Sequence, residues 1–215
     1  MISKIVNHNY DHPLTIHFLI TNRCNLNCPK CYYNQDKSLS EVPYETIVSL
    51  FEEWSRAGVK SVAMGGGEPM LHPHIIQISR LAKKLGFYVA ITTNGTILKE
   101  VEADRIHISY DAIHPTTKHQ VEWAIGWYAD FGIPKIGLNH VLTSIQSFKK
   151  CLSLLPQIDT ITLLLEKPVS RFHSFDKVME IIKDNPDKFW LGACLAQKLG
   201  LRRCMQGITS MAFKL

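Results

Sequence analysis

Strand-forming runs alternate with segments of helical periodicity along most of this chain, and that alternation limits its folds more than any other feature. "LTIHFLI" (14–20) is rich in β-branched and apolar residues and reads as a first strand. The segment from Pro43 to Ala57 carries Ile47, Leu50, Phe51 and Trp54 at helical spacing, with Gly58 as its stop. A strand then runs into "GGGEPM". A helix in "HIIQISRLAKKLG" stops at Gly86, and a strand in "FYVAITTNG" ends in a turn. "RIHISYDAIHP" is a fourth strand with a polar exit, and "TTKHQVEWAIGWYADFG" is helical. "PKIGLNHVLT" is a fifth strand, "IQSFKKCLSLLP" a helix and "IDTITLLLE" a sixth strand, before a helix from Phe175 to Asp184. Alternation of this kind argues an α/β fold with parallel strands joined by helical crossovers.

Six βα units can build an open doubly wound sheet or a partial barrel. Polar residues gather where nearly every strand ends: the cysteines from Cys24, Gly65 to Glu68, Thr93 and Asn94, Asp111, Asn139 and His140, and Glu166 with Lys167. Barrel sites draw on the carboxyl ends of several strands, whereas an open sheet concentrates its ligand at one switch point. The expectation is a partial (β/α)6 barrel of parallel strands with outer helices and a short C-terminal extension. Its divisions are a lead-in over 1–13, the barrel over 14–185 and the extension over 186–215.

The composition is that of a globular domain: 215 residues, 46% hydrophobic and 20% charged. The net charge of +5 comes from scattered Lys and Arg, which permits a nucleic-acid partner without indicating one. The start lacks the apolar stretch of a secretion signal. No apolar run approaches the ~20 residues that cross a bilayer. The expectation is a cytoplasmic protein with no membrane partner. In that reducing compartment the six cysteines read as ligands, reactive groups or core residues rather than disulfides.

Three of them are packed into "TNRCNLNCPKCYYN": Cys24, Cys28 and Cys31, in the pattern C-x3-C-x2-C on the loop after the first strand. Zinc ribbons set paired knuckles far apart to supply four ligands. Here one compact group offers three soft donors of the kind that hold iron–sulfur clusters. Three thiolates on a cubane leave one metal position open, as catalysis requires. A structural zinc and chance clustering remain the alternatives on spacing alone.

The surrounding motifs extend the pattern. C-x3-C-x2-C follows strand one, "GGGEP" strand two, "TTNG" strand three, and "ISYDAIHP" lies at the exit of strand four. In this order they resemble the radical S-adenosylmethionine (radical SAM) superfamily, over roughly residues 14–185. The resemblance implies a (β/α)6 partial barrel. It also implies a 4Fe–4S cluster on Cys24, Cys28 and Cys31, with its fourth iron left for the amino and carboxylate groups of S-adenosylmethionine. Reductive cleavage of that cofactor to a 5′-deoxyadenosyl radical would follow, then hydrogen abstraction from a peptide or small-metabolite substrate. Other activities within the superfamily, on a nucleotide or nucleic acid or as a glycyl-radical activase, are alternatives. Outside it, a protein that only binds iron–sulfur or zinc is another. An electron donor such as a flavodoxin or ferredoxin is the implied partner.

By the same resemblance, Gly65, Gly66 and Gly67 hydrogen-bond the methionine amino group, with Glu68 and Pro69 completing the loop. Glycine lets backbone approach a ligand closely. Glu68 either orients the loop or meets the ammonium, and a helix-start acid is its alternative reading. Ser109 and Asp111, at alternate positions, share one face of strand four. A carboxylate there suits ribose hydroxyls, and a turn role is the alternative. Asn94 reads equally as turn residue or ligand. Asn139 reads as a ribose or carboxylate contact or as a strand-end cap. The family's usual aromatic residue before the third cysteine is Lys30 here, with Tyr32 and Tyr33 after it. Lys30 can stack its methylene stem and keep its ammonium wet, and Tyr32 is the candidate aromatic contact.

Cys151 sits among apolar neighbours and reads as a core residue. Cys194 and Cys204 lie in a tail whose "CMQGITSMAFKL" resembles the start of the cysteine-rich extension of peptide-modifying radical enzymes. They are candidate hydrogen-atom donors, with vestige, partial cluster site or packing as alternatives. The ten histidines form no ligand pair such as H-E-x-x-H. His114 and His140 are the ones expected nearest a substrate.

Overall fold

The computed structural model describes residues 13–31, 41–166, 172–199 and 210–213. Its elements follow the sequence pattern closely: β1 (Thr15–Thr21), α1 (Tyr44–Arg56), β2 (Ser61–Gly66), α2 (Ile75–Lys84), β3 (Tyr88–Thr93) and β4 (Arg105–Ser109). Then come α3 (Lys118–Asp130), β5 (Ile136–Leu142), α4 (Ile145–Leu152), β6 (Thr160–Leu165) and α5 (Phe175–Lys183). Local chemistry sets the boundaries. Gly58 and Gly86 end α1 and α2 with φ of 86° and 84°, where a side chain would be strained. Thr117 opens α3 with a capping box: its hydroxyl accepts from Gln120 N at 3.2 Å while Gln120 Oε1 accepts from Thr117 N at 2.8 Å.

Among the described residues the sheet has eight strands rather than the six expected. A short β7 (Phe189–Leu191) adds to the β6 edge, and β8 (Ser210–Phe213) pairs with β1 after a helix α6 (Ala193–Lys198). The order is β7-β6-β5-β4-β3-β2-β1-β8, with every pair parallel. Apart from β8, neighbours in sequence are neighbours in space, as in a barrel rather than a doubly wound sheet.

The two faces of the sheet differ in kind. Ile16, Phe18, Val62, Met64, Val89, Ile91, Ile106, Ile108, Leu138, Ile161 and Leu163 are all at 0–1% exposure and form the core under the helices. Phe18 meets Phe51 and Trp54 of α1 at ring distances of 6.1 and 5.2 Å. The alternate residues point the other way, and contacts that skip a strand identify their face as concave. Asn139 of β5 reaches Thr92 of β3 at 3.4 Å, and Arg105 of β4 reaches Thr160 of β6 at 2.8 Å. Side chains two strands apart, about 10 Å between backbones, meet only on the inside of a curved sheet. This is a partial barrel whose outer face carries the packing.

Candidate active site

All eight strands run parallel, so their carboxyl ends share one rim, and the cysteine loop lies there. Cys24, Cys28 and Cys31 are half-buried and outside any disulfide. A backbone bond from Cys31 N to Cys28 O at 3.2 Å forms a turn between two of them, and Leu26 N donates to Cys24 Sγ at 3.4 Å. Burial, followed by repulsion from Cys31, Cys24 and Asp111, pushes the Cys28 thiol up to about 11. A cationic centre beside these thiols would favour their ionised form.

Three exits fasten this loop. The backbone pairing of β1 with β2 continues past the strands: Gly67 N donates to Thr21 O at 2.8 Å, and Glu68 N to Arg23 O at 2.7 Å. This approach explains two of the glycines. A Cβ on Gly66 would stand 2.2 Å from the Thr21 carbonyl oxygen, and one on Gly67 2.2 Å from that of Arg23. At Gly65 only the Leu19 side chain lies near, at 3.8 Å. Gly66 and Gly67 therefore admit the cysteine loop's own backbone, a different reason from the ligand approach expected. On the β3 side, Asn25 donates to Thr96 Oγ1 at 2.8 Å and accepts from Asn94 Nδ2 at 3.0 Å. Asn94 Oδ1 in turn accepts from Thr96 N at 2.9 Å. Asn94 thus braces the loop, which matches its turn reading. Across the mouth, Lys30 Nζ meets Glu166 Oε1 at 2.6 Å, just past β6.

The two acids expected near a ligand are committed within the chain. Glu68 has no exposure. Its Oε1 accepts from Met70 N at 3.0 Å and Thr93 Oγ1 at 2.8 Å, and its Oε2 from Asn94 N at 2.7 Å. It orients the loop, with Pro69 opening the short helical turn that it caps. Burial pushes its carboxyl above the usual range, against these three donors. Asp111 has a side chain 1% exposed. Its Oδ1 accepts from Ile113 N at 2.7 Å, His114 N at 3.1 Å and His114 Nδ1 at 3.0 Å, and its Oδ2 from Val141 N at 3.2 Å. Burial opposes ionisation, yet His114 and these backbone donors hold the carboxyl below its usual value. This geometry is that of the turn reading kept for Asp111.

Ser109 and Asn139 are register partners on β4 and β5 and face the concave side together. Asn139 lies mid-strand, not at a strand end. His140, by contrast, is turned outward. It is fully buried, with Nδ1 2.8 Å from Tyr110 O and its ring 5.8 Å from Phe148 of α4. The expectation that it meets substrate is thereby corrected, because strand alternation gives that face to Asn139. Cys151 is buried in α4, its thiol pushed up to about 12 by burial and then by Asp111, as a core residue. Cys194 is half-buried in the first turn of α6, beyond the carboxyl end of β7. Tyr32 and Cys204 lie outside the described residues.

The residues that pattern reading passed over are Thr92, Arg105, His107 and Thr162, all on the concave face. Their signal was the period-2 alternation of "RIHIS", which puts Arg105, His107 and Ser109 on one side.

The profile of the radical SAM superfamily matches residues 18–142. The chain belongs to that superfamily. Among curated relatives, it is 32% identical over 122 residues to a probable GTP 3′,8-cyclase of Methanothermobacter marburgensis, covering 52% of this chain and 40% of the relative. It is 28% identical over 96 residues to the PqqA peptide cyclase of Gluconobacter oxydans, covering 44% of this chain and 27% of that one. Among solved structures, Streptococcus suis SuiB bound to precursor peptide SuiA superposes with a TM-score of 0.73 at 16% identity, over 87% of this chain and 51% of SuiB. The chain spans less than half the length of the curated relatives it matches first.

Radical SAM enzymes use a 4Fe–4S cluster and S-adenosylmethionine. The residues at the rim fit such a group. Among the described residues no three donors converge closely enough to share a single ion. A cubane asks for no such convergence, since thiolates on different corners meet different irons. Nor does any described helix have the length and apolarity to cross a membrane.

Proposed function

We propose that this radical SAM enzyme holds its cluster on Cys24, Cys28 and Cys31 and abstracts hydrogen from a peptide or small-metabolite substrate presented at the barrel mouth. The observation that carries the reading is a loop of three thiols on one short stretch, braced by the exits of β2, β3 and β6, at the carboxyl rim of a barrel whose inner face is largely polar. A cluster held on these thiolates would supply, given a flavodoxin- or ferredoxin-like donor, the electron for reductive cleavage of S-adenosylmethionine. The chain's own part is placement. Asn25, Asn94 and Thr96 fix one side of the loop, Lys30 and Glu166 the other, and Glu68 sets the glycine loop whose backbone faces the cofactor's methionine end. Ser109 and Asn139 stand ready for its ribose or carboxylate. Asp111 acts on that site by shaping the β4 exit.

The names of the relatives bear on the substrate. A peptide cyclase and a peptide-bound structure support a peptide, and the GTP cyclase supports a nucleotide. Anaerobic reconstitution should yield about four irons and four sulfides per chain. With S-adenosylmethionine and a low-potential reductant it should release 5′-deoxyadenosine. Replacing Cys24, Cys28 or Cys31 by Ala should each abolish that product, and Cys151→Ala should preserve it. One zinc and no iron in protein kept from air would overturn the reading.

A further inference from the structure

We propose that the concave interior of the barrel is a chamber for an anionic group of the substrate, a carboxylate or a phosphate, selected by Arg105 and His107 of β4. The inference rests on the radical SAM reading for what happens to that substrate. The chamber itself is argued from the strands alone.

Part of the inner face keeps some exposure where a closed barrel would be filled by layers of branched side chains. Ala63, Ala90, Thr92, His107, Asn139 and Thr162 all keep partial exposure, while their strand neighbours on the outer face, the polar His140 and Thr93 included, keep 0–1%. At these six positions small and polar residues stand where packing would favour Val, Ile and Leu, whereas Leu19, Val141 and Leu164 supply apolar bulk elsewhere on the same face.

The charge of this face is one-sided. Among the described residues, no inward-pointing position of β1 to β7 is acidic. Glu166 and Asp111 stand at the rim, committed to Lys30 and to the β4 exit. Arg105 is 6% exposed. Its guanidinium donates to Thr160 Oγ1 at 2.8 Å and Tyr88 OH at 3.3 Å, and lies 4.2 Å over the ring of Trp190. These partners are neutral, so they orient the cation without cancelling it, and Arg stays charged in a protein. Asp159 feels Arg105 but is engaged elsewhere, with Lys135 at 3.0 Å and Ile136 N at 2.8 Å.

His107 stands two residues nearer the mouth, about 7 Å above Arg105 and about 7 Å below Ser109. Burial, and then Arg105, lowers its imidazole to about 4, so at neutral pH it offers one N–H and one lone pair without charge. Its Nδ1 is buried and has no hydrogen-bond partner among the described residues, and the same holds for Thr162 Oγ1. Buried polar atoms are ordinarily paired, so two unpaired ones on the inner face above a fixed guanidinium suit a ligand group that reaches between the strands to meet them. Gly137 makes the room. A Cβ there would stand 2.9 Å from Thr160 Oγ1 and 3.3 Å from His107 Nδ1. A side chain would displace the residues that position the cation.

The test uses the full chain without cofactor, titrated with inorganic phosphate and separately with succinate at constant ionic strength. Trp190 fluorescence and the 15N resonances of the His107 ring report binding. One anion should give a saturable change in both. Saturation by phosphate assigns a phosphate-bearing substrate, and saturation by succinate a carboxylate. Ala63→Leu, which fills the chamber from β2, should weaken that binding at least tenfold. So should Arg105→Lys, which keeps the charge and loses the fork. Absence of saturation in the wild-type chain, or wild-type affinity in both variants, overturns the proposal. The 5′-deoxyadenosine assay stands apart from this result: anion binding in a protein that cannot cleave S-adenosylmethionine would leave the chamber and remove the radical reading, and the reverse pattern would do the opposite.

Discussion

The outer and inner faces of the same strands obey different rules. On β4, Ile106 and Ile108 are fully buried under the helices, while His107 between them keeps partial exposure. On β2, Val62 and Met64 are buried and Ala63 is not. Apolar packing is concentrated in one parity of residues and polar side chains in the other, so each can vary without the other. That separation is how one barrel frame can host unrelated substrates.

The sharpest break in the comparison is on the outer face. Phe51 packs on Phe18, Trp54 and Phe87 at ring distances of 6.1, 5.7 and 5.7 Å. Phe51→Ala should cost about 3–5 kcal/mol in chemical denaturation, by lost transfer energy plus a cavity. A cost below about 1 kcal/mol would mean that this face is not the core.

Next comes the acid just past β4, Asp111, which serves the fold. Asp111→Asn should cost roughly 1.5–3 kcal/mol at neutral pH, as a charge-assisted network is weakened. Because folding lowers the Asp111 pKa, its stabilisation is complete above the unfolded value of 3.8. It drains as pH falls through the lower folded value. The gap between wild type and variant should therefore close in acid. A gap independent of pH would assign the loss to shape rather than charge.

Gly67→Ala should destabilise by about 1–3 kcal/mol through overpacking and lower iron loading, because its Cβ meets the Arg23 carbonyl. Gly65→Ala should stay within about 0.5 kcal/mol of wild type. Equal effects in melting curves and iron content would show that both glycines serve the ligand rather than the chain. The smallest change is expected from Thr162→Val on the inner face, within about 0.5 kcal/mol in stability. A loss approaching that of Phe51→Ala would mean that the interior is packed.

Much of this was legible in the chain. β-Branched runs marked β1 to β6, glycines with positive φ closed α1 and α2, and the cysteine spacing with its neighbouring motifs pointed to the rim. β7 and β8 escaped because three or four residues carry too little periodicity to register, and β8 pairs with β1 at the opposite end of the sequence. The roles of Glu68 and Asp111 were ambiguous for a related reason. A carboxylate beside a turn looks the same in sequence whether it meets a ligand or four backbone and side-chain donors.

What the sequence determined by itself is therefore local: which segments are strands or helices, where they stop, and which thiols stand together. What only the tertiary structure decided is which side chains converge. Lys30 meets Glu166 across 136 positions, Asn25 meets Asn94 across 69, and Arg105 meets Thr160 across 55. The physical reason is the curvature of the sheet. Alternation gives each residue a side, but only the closing of the strands into a barrel brings the exits of β3 and β6 to one loop and turns one side into an interior.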